Sequence, residues 1–177
     1  MPARQRHDPI TLGLHWLIAL LIAAAYAASA LVEDGPGGSW AMTLHGSLGL
    51  LVFGLSLLRI LWRGLAPHPA PVPMAPMMAR LAHFAHVALY VTMVAAPALG
   101  LAALWTRGQG ISLFWLFSLP SPLASHRGLA EFLGGAHELA ANGLVALAGL
   151  HAAAAIFHQY VLRDHTLERM VPGGDAK

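Results

Sequence analysis

The stretch HELAANGLVALAGLHAAAAIFHQY, residues 137–160, decides how this chain is read. Most of it is apolar and rich in alanine, the fabric of a helix that crosses a membrane. Yet it carries histidines at 137 and 151, and a third at 158. Fourteen residues is close to four helical turns, so His137 and His151 project from one face. At about 1.5 Å per residue they stand roughly 21 Å apart along the axis. That is too far to share one metal ion, and most of the way across a hydrocarbon core of about 30 Å. One helix therefore serves two sites, one toward each membrane surface.

Composition supports the membrane reading. Of 177 residues, 57% are hydrophobic and 10% charged, where soluble domains carry about 25% charged residues. Mean hydropathy is +0.62. The pI is near 9.5, but the net charge is only +2. That balance speaks against nucleic acid as a partner and for basic residues used as topology signals. Cysteine is absent, which excludes disulfides, thiolate iron–sulfur clusters and covalently attached c-type haem. Eleven histidines remain as metal ligands.

Four apolar runs, residues 10–31, 41–62, 81–105 and 134–162, are each long enough to span a bilayer. They predict an all-α integral membrane four-helix bundle, one domain over residues 1–177. The first run is read as a retained helix, not a cleaved signal. VEDGPGGS (32–39) makes a short turn. APHPAPVPMAPMMA (66–79) makes an extended proline-rich connector. ISLFWLF (111–117) is too short to span, so it lies at the interface or folds over the bundle mouth. A short helix is expected around residues 123–133. Arg4, Arg6, Arg59, Arg63, Arg80, Arg163, Arg169 and Lys177 fall on one side. Arg107 and Arg127 fall on the other, with Glu33, Asp34 and Glu131. Both termini are therefore expected in the cytoplasm.

The alternation of helix direction sorts the intramembrane histidines by depth. His45 and His137 lie toward the outer surface, His15 and His151 toward the inner. Two imidazoles on facing helices are what a bis-histidine haem b requires, and a saturated iron favours electron transfer over ligand binding. Gly13, Gly46, Gly49 and Gly149 flank these histidines and leave room for a macrocycle. Four ligands spread over two depths cannot close around one zinc ion. His83 and His86 sit three apart at the inner end of the third run. They replace an inner ligand, or contact propionates, water or a quinone. His158 is a proton relay or an interfacial residue. His7, His68, His126 and His165 read as solvated loop residues, and Trp16, Trp40, Trp62 and Trp105 as interfacial anchors. Arg59 snorkels or pairs with an inner propionate. Arg107 and Arg127 pair with outer propionates, attract an anion, or are plain surface charges.

Four segments carry a resemblance: LHWLIALLIAAAY around His15, LHGSLGLLVFGLSLLRILWR around His45, MAPMMARLAHFAHVALY in the third run, and HELAANGLVALAGLHAAAAIFHQYVLRDHTLERMVP at the end. Through them the chain resembles the bacterial cytochrome b561 family along nearly its whole length. It is most similar to the small stand-alone branch that acts as a superoxide oxidase. The resemblance implies four helices in the bacterial inner membrane and two b haems, with His15, His45, His137 and His151 as ligands. It also implies superoxide oxidised on the periplasmic side and ubiquinone reduced. One departure matters. That branch carries a basic and aromatic stretch before the outer histidine, where this chain reads LGGAH (133–137). Attraction of superoxide then falls to Arg107 and Arg127. The alternative implied by the wider family is a cytochrome b subunit of a hydrogenase or dehydrogenase, fed by a redox partner protein.

Overall fold

Inside hydrocarbon every backbone N–H and C=O must be satisfied by the chain itself, which leaves the helix as the form for each apolar run. The computed structural model describes residues 7–32, 40–67, 69–70 and 72–171. It contains four long helices: α1 (Pro9–Ser29), α2 (Trp40–Leu65), α3 (Pro76–Thr106) and α4 (Arg127–Phe157). All four are long and apolar enough to cross a membrane. Arg4, Arg6, Glu33, Asp34, His68 and Lys177, used above as charge signals or loop histidines, lie outside the described residues.

The helix starts follow local chemistry. Asp8 caps α1: its carboxylate accepts from the N–H groups of Ile10 and Thr11, and Pro9 opens the first turn. The Trp62 indole donates to the same carboxylate at 3.0 Å, tying the start of α1 to the end of α2. α3 begins at Pro76, five residues before the expected 81. Proline at N1 suits a helix start, so the end of the proline-rich connector is already helical. α4 begins at Arg127 and absorbs much of the separate short helix expected around 123–133. Gly134 and Gly135, read as a boundary, sit inside it. His126, exposed and just ahead of the helix as expected of a loop residue, has a further role. Its side chain caps α4 by accepting from the Leu129 N–H.

Between α3 and α4 the chain forms a hairpin, β1 (Ile111–Leu113) paired antiparallel with β2 (Phe117–Leu119). At its tip Phe114 and Trp115 have φ of 45° and 60°, a region that strains bulky side chains. Ser47 of α2, fully buried, holds the hairpin in place. Its hydroxyl accepts from the Phe114 N–H at 2.8 Å and lies near the Thr43 and Ser112 carbonyls. Ile111 is buried beside Gly46. The hairpin thus folds over the end of α2, while Trp115, Leu116 and Phe117 stay exposed.

α1 packs chiefly on α2 and α3 on α4, with α2 and α3 joining the pairs. α1 and α4 scarcely meet. Across that seam the Tyr26 hydroxyl donates to Asn142 at 2.9 Å. Ile18, Met93 and Leu144 form an apolar plug from three helices. After α4 comes a π-helical turn, His158–Leu162, and then a 3-10 turn, Leu167–Met170. This tail folds back over the end of the bundle that holds Asp8. The Trp16 indole donates to the Met170 carbonyl and Arg169 to that of Ala70. Trp16 and Trp62, expected as interfacial anchors, are thus also tertiary ties. We call this end the terminal face and the opposite end the hairpin face.

Asp8 yields a prediction about acid stability. The Thr11 hydroxyl bond first, then backbone and Trp62 bonds, outweigh the effect of burial and lower its carboxyl from 3.8 to about 2. The folded value lies below the unfolded one, so the stabilisation is present above pH ~4 and is lost as pH falls toward ~2. Asp8→Ala should cost about 1 kcal/mol at neutral pH through the lost cap. It should also flatten the acid limb of a melting-temperature series recorded in detergent.

Candidate metal centres at two depths

On the hairpin-face side, His45 of α2 and His137 of α4 face each other with ring centroids 5.9 Å apart. Each Nδ1 lies 2.8 Å from a main-chain carbonyl of another helix, Ala25 for His45 and Ala96 for His137. A carbonyl can only accept, so Nδ1 carries the hydrogen. The neutral ring is left with a free lone pair on Nε2. That is the arrangement by which proteins orient a metal-ligating histidine. Gly100 of α3 makes it possible: a Cβ there would stand 3.0 Å from Cε1 and Nδ1 of His137. Of the glycines marked in the sequence, Gly46 faces Ile111, and a Cβ at Gly13, Gly49 or Gly149 would meet nothing within 4 Å.

On the terminal-face side, His15 of α1 and His151 of α4 have centroids 6.3 Å apart. His86 of α3 stands 5.2 Å from His151 and donates its Nδ1 hydrogen to Ala82. His83 is exposed, its ring against Phe84. Arg59 of α2 reaches His15, with Nη1 at 2.9 Å from Nδ1, and lies over the Tyr90 ring. A guanidinium only donates, so Nδ1 of His15 accepts here. The polarity is opposite to that on the hairpin-face side.

These spacings can be tested against an iron held end-on by two rings. A metal–imidazole bond is about 2.0 Å and the ring centre lies about 1.1–1.2 Å behind the nitrogen, so the centroids stand about 6.3 Å apart. The pairs at 5.9 and 6.3 Å fit this, and the His86–His151 distance of 5.2 Å is short. Among the described residues no three His, Asp or Glu side chains converge as a bare-ion site. Each level offers a pair.

Beneath the inner pair lies a polar cluster. Nδ1 of His158 donates to Asp164 in a short hydrogen bond. His165, read as a solvated loop residue, donates to Glu168, which also accepts from Gln159. Burial works to raise the Asp164 carboxyl, but hydrogen bonds from His158 and Thr166 outweigh it and hold it below the usual carboxylate range. Asp164 gave no signal in the sequence, because residues six apart do not meet on an α-helix. The π-helical turn and the left-handed Arg163, φ 54°, bring it round to His158. Such turns recur at functional sites. At the other end, Arg107 closes α3 and lies against α4 one turn before His137, 3.3 Å from where a Gly134 Cβ would stand. Arg127 is engaged with Glu131 at 2.9 Å in a pair that is 92% and 66% exposed.

Comparison with known proteins bears on nearly the whole chain. The family described as prokaryotic cytochrome b561 matches residues 6–173. The chain is 36% identical to the probable superoxide oxidase CybB of Yersinia pestis over 95% of this chain and 97% of that one. It is 33% identical to cytochrome b561 homolog 2 of Escherichia coli, over 94% of this chain and 92% of that protein. It is 31% identical to cytochrome b562 of Cereibacter sphaeroides, over 92% of each.

Gly100 supplies the test of the outer geometry. Gly100→Ala should push the His137 ring off its carbonyl and lower the haem content of purified protein, read as pyridine haemochrome per chain. Gly46→Ala, whose Cβ would meet Ile111 at an ordinary 3.4 Å, should keep it.

Proposed function

The chain belongs to the prokaryotic cytochrome b561 family, and on that premise we propose that it is a superoxide:ubiquinone oxidoreductase working with two b haems. Family membership makes it a multi-pass membrane electron-transfer protein with b-type haem. The observation that carries the finer reading is the pair of facing histidines at each of two depths. His45 and His137 would hold the outer haem, His15 and His151 the inner. When bound, these groups supply one-electron carriage between the two membrane faces. The net reaction takes two superoxides, one quinone and two protons to two oxygens and one quinol.

The chain's own residues serve the two ends. The charge asymmetry supports a terminal face in the cytoplasm and a hairpin face in the periplasm of the bacterial inner membrane. Superoxide is an anion and does not readily cross hydrocarbon, so it is met on the hairpin face. Arg107, leaning on α4 beside His137, supplies the attraction there. Arg127 supplies less, because Glu131 offsets its charge. At the terminal face quinol formation consumes protons. Asp164 accepts the hydrogen of His158 Nδ1 and so orients the ring, leaving Nε2 to pass a proton toward the quinone. His86 and His83 line the same end and are candidate quinone or propionate contacts. So is Arg59.

A second reading keeps the same haems but replaces superoxide by a docked redox protein, as in the cytochrome b subunit of a hydrogenase or dehydrogenase. The exposed Trp115, Leu116 and Phe117 at the hairpin tip favour it, since they offer such a partner a surface.

Purified protein alone, given a pulse of superoxide in a stopped-flow instrument, should show haem reduction faster than superoxide disproportionates, and quinol when quinone is present. Arg107→Gln should lower the second-order rate several-fold at low salt and weaken its dependence on ionic strength, because exposed charges are screened over about 8–10 Å. Arg127→Gln should do less. Asp164→Asn should slow quinol formation and leave haem reduction intact. Disproportionation with no change in haem absorbance would replace this reading by the docked-subunit one. Topology reporters at residue 177 and within 121–127 should report opposite sides.

A further inference from the structure

The ring nitrogens at the two histidine levels meet groups of opposite sign, and the cation near the outer level, Arg107, is exposed and screened by solvent where Arg59 is not. At the outer level both ligand rings donate to main-chain carbonyls, those of Ala25 and Ala96. At the inner level His15 faces a guanidinium instead. The helices deliver this contrast by spacing. On α2, Arg59 follows His45 by fourteen residues, the interval that separates His137 and His151 on α4. So α2 sends a ligand to the outer level and a cation to the inner. On α1 the order is reversed: Ala25 sends a carbonyl outward and His15 is the inner ligand.

Among the described residues no carboxylate forms an ion pair with Arg59; the ion pairs lie elsewhere. The titratable and charged groups facing the inner level are His7 before α1, Arg63 from α2, His83 and His86 from α3, and His151 from α4. Nearby carboxylates are already engaged, Asp8 with Thr11 and Trp62, and Asp164 with His158. The side chain is only partly exposed and packs over Tyr90.

An oxidised haem iron carries one more positive charge than a reduced one. Imidazoles that donate to carbonyls become more basic and stabilise the oxidised form. A guanidinium in a low-dielectric site disfavours it. We propose that Arg59 is a positioning residue for electrons: it holds the inner haem at a higher reduction potential than the outer, so that electrons run downhill from the hairpin face to the terminal face. The inference rests on the two-haem reading above. Its sign does not depend on which group Arg59 engages in the loaded protein. Against His15 it acts as a bare cation, and against a porphyrin carboxylate it cancels a negative charge; both raise the potential.

The test is a spectroelectrochemical titration of haem-loaded protein carrying Arg59→Gln, Arg59→Met or Arg59→Lys, beside the unaltered chain. The unaltered chain should titrate in two waves. Both neutral variants should move the upper wave down toward the lower one and leave the lower in place, while Arg59→Lys should keep most of the separation. The proposal is overturned if neither wave moves, if both move together, or if lysine behaves like glutamine. It is also overturned if neither neutral variant takes up haem while lysine does, since Arg59 would then be a binding residue. A single wave with one haem per unaltered chain would instead sink the two-haem reading itself.

Discussion

The arrangement depends on hydrogen bonds from imidazole to main-chain carbonyl inside the membrane. A histidine in hydrocarbon needs a partner for its N–H, and in α-helices the carbonyls are already engaged along the axis. His45 and His137 solve this by approaching Ala25 and Ala96 from a neighbouring helix, where a carbonyl's second lone pair remains. The approach demands close helices. Gly100 and the small residues around Ala25 and Ala28 permit it. Once Nδ1 is satisfied, tautomer and ring orientation are fixed, and Nε2 is offered to whatever lies between the rings.

The outer and inner ends are built on different principles. At the outer end the ligand-level rings meet only main-chain carbonyls, and the hairpin is pinned by Ser47 two residues beyond His45. Its strained tip tolerates a left-handed Phe114 because that ring packs against the cluster formed by Ala25, Ala28 and Leu48. The inner end is charged and hydrogen-bonded, with Arg59 on His15, His86 beside His151, and His158 bonded to Asp164 in the tail. A proton-consuming half-reaction suits the second end, and a one-electron donor that brings no proton suits the first.

The two histidine levels were legible in the sequence because depth along a membrane helix is linear in residue number. His15, His45, His137 and His151 could be placed by counting, and four apolar runs suffice for four spans. What failed depended on other rules. The start of α3 was hidden because proline reads as a breaker everywhere except in the first helical turn. The start of α4 was hidden by Gly134 and Gly135, which both sit within the helix, the first of them under Arg107. Gly100 carries no chemistry of its own, and only the position of His137 across the interface gives it meaning. Asp164 required a π-helical turn that no periodicity foretells. Arg59 was noticed but its partner was not, since the contact with His15 joins residues forty-four positions apart.

The thin seam between α1 and α4 has a consequence for how such a protein is made. The helices pair as two hairpins, α1 with α2 and α3 with α4, and each histidine pair takes one ring from each hairpin. Neither hairpin alone presents a complete pair. In a membrane, where no hydrophobic force drives helices together, the Tyr26–Asn142 bond is a slender link across that seam. Iron bridging the two halves would add to the α2–α3 contact and the Ile18–Met93–Leu144 plug, and would make the cofactor a rivet as well as a wire. Maturation then becomes a test of assembly, because only a chain whose halves have met can close around porphyrin.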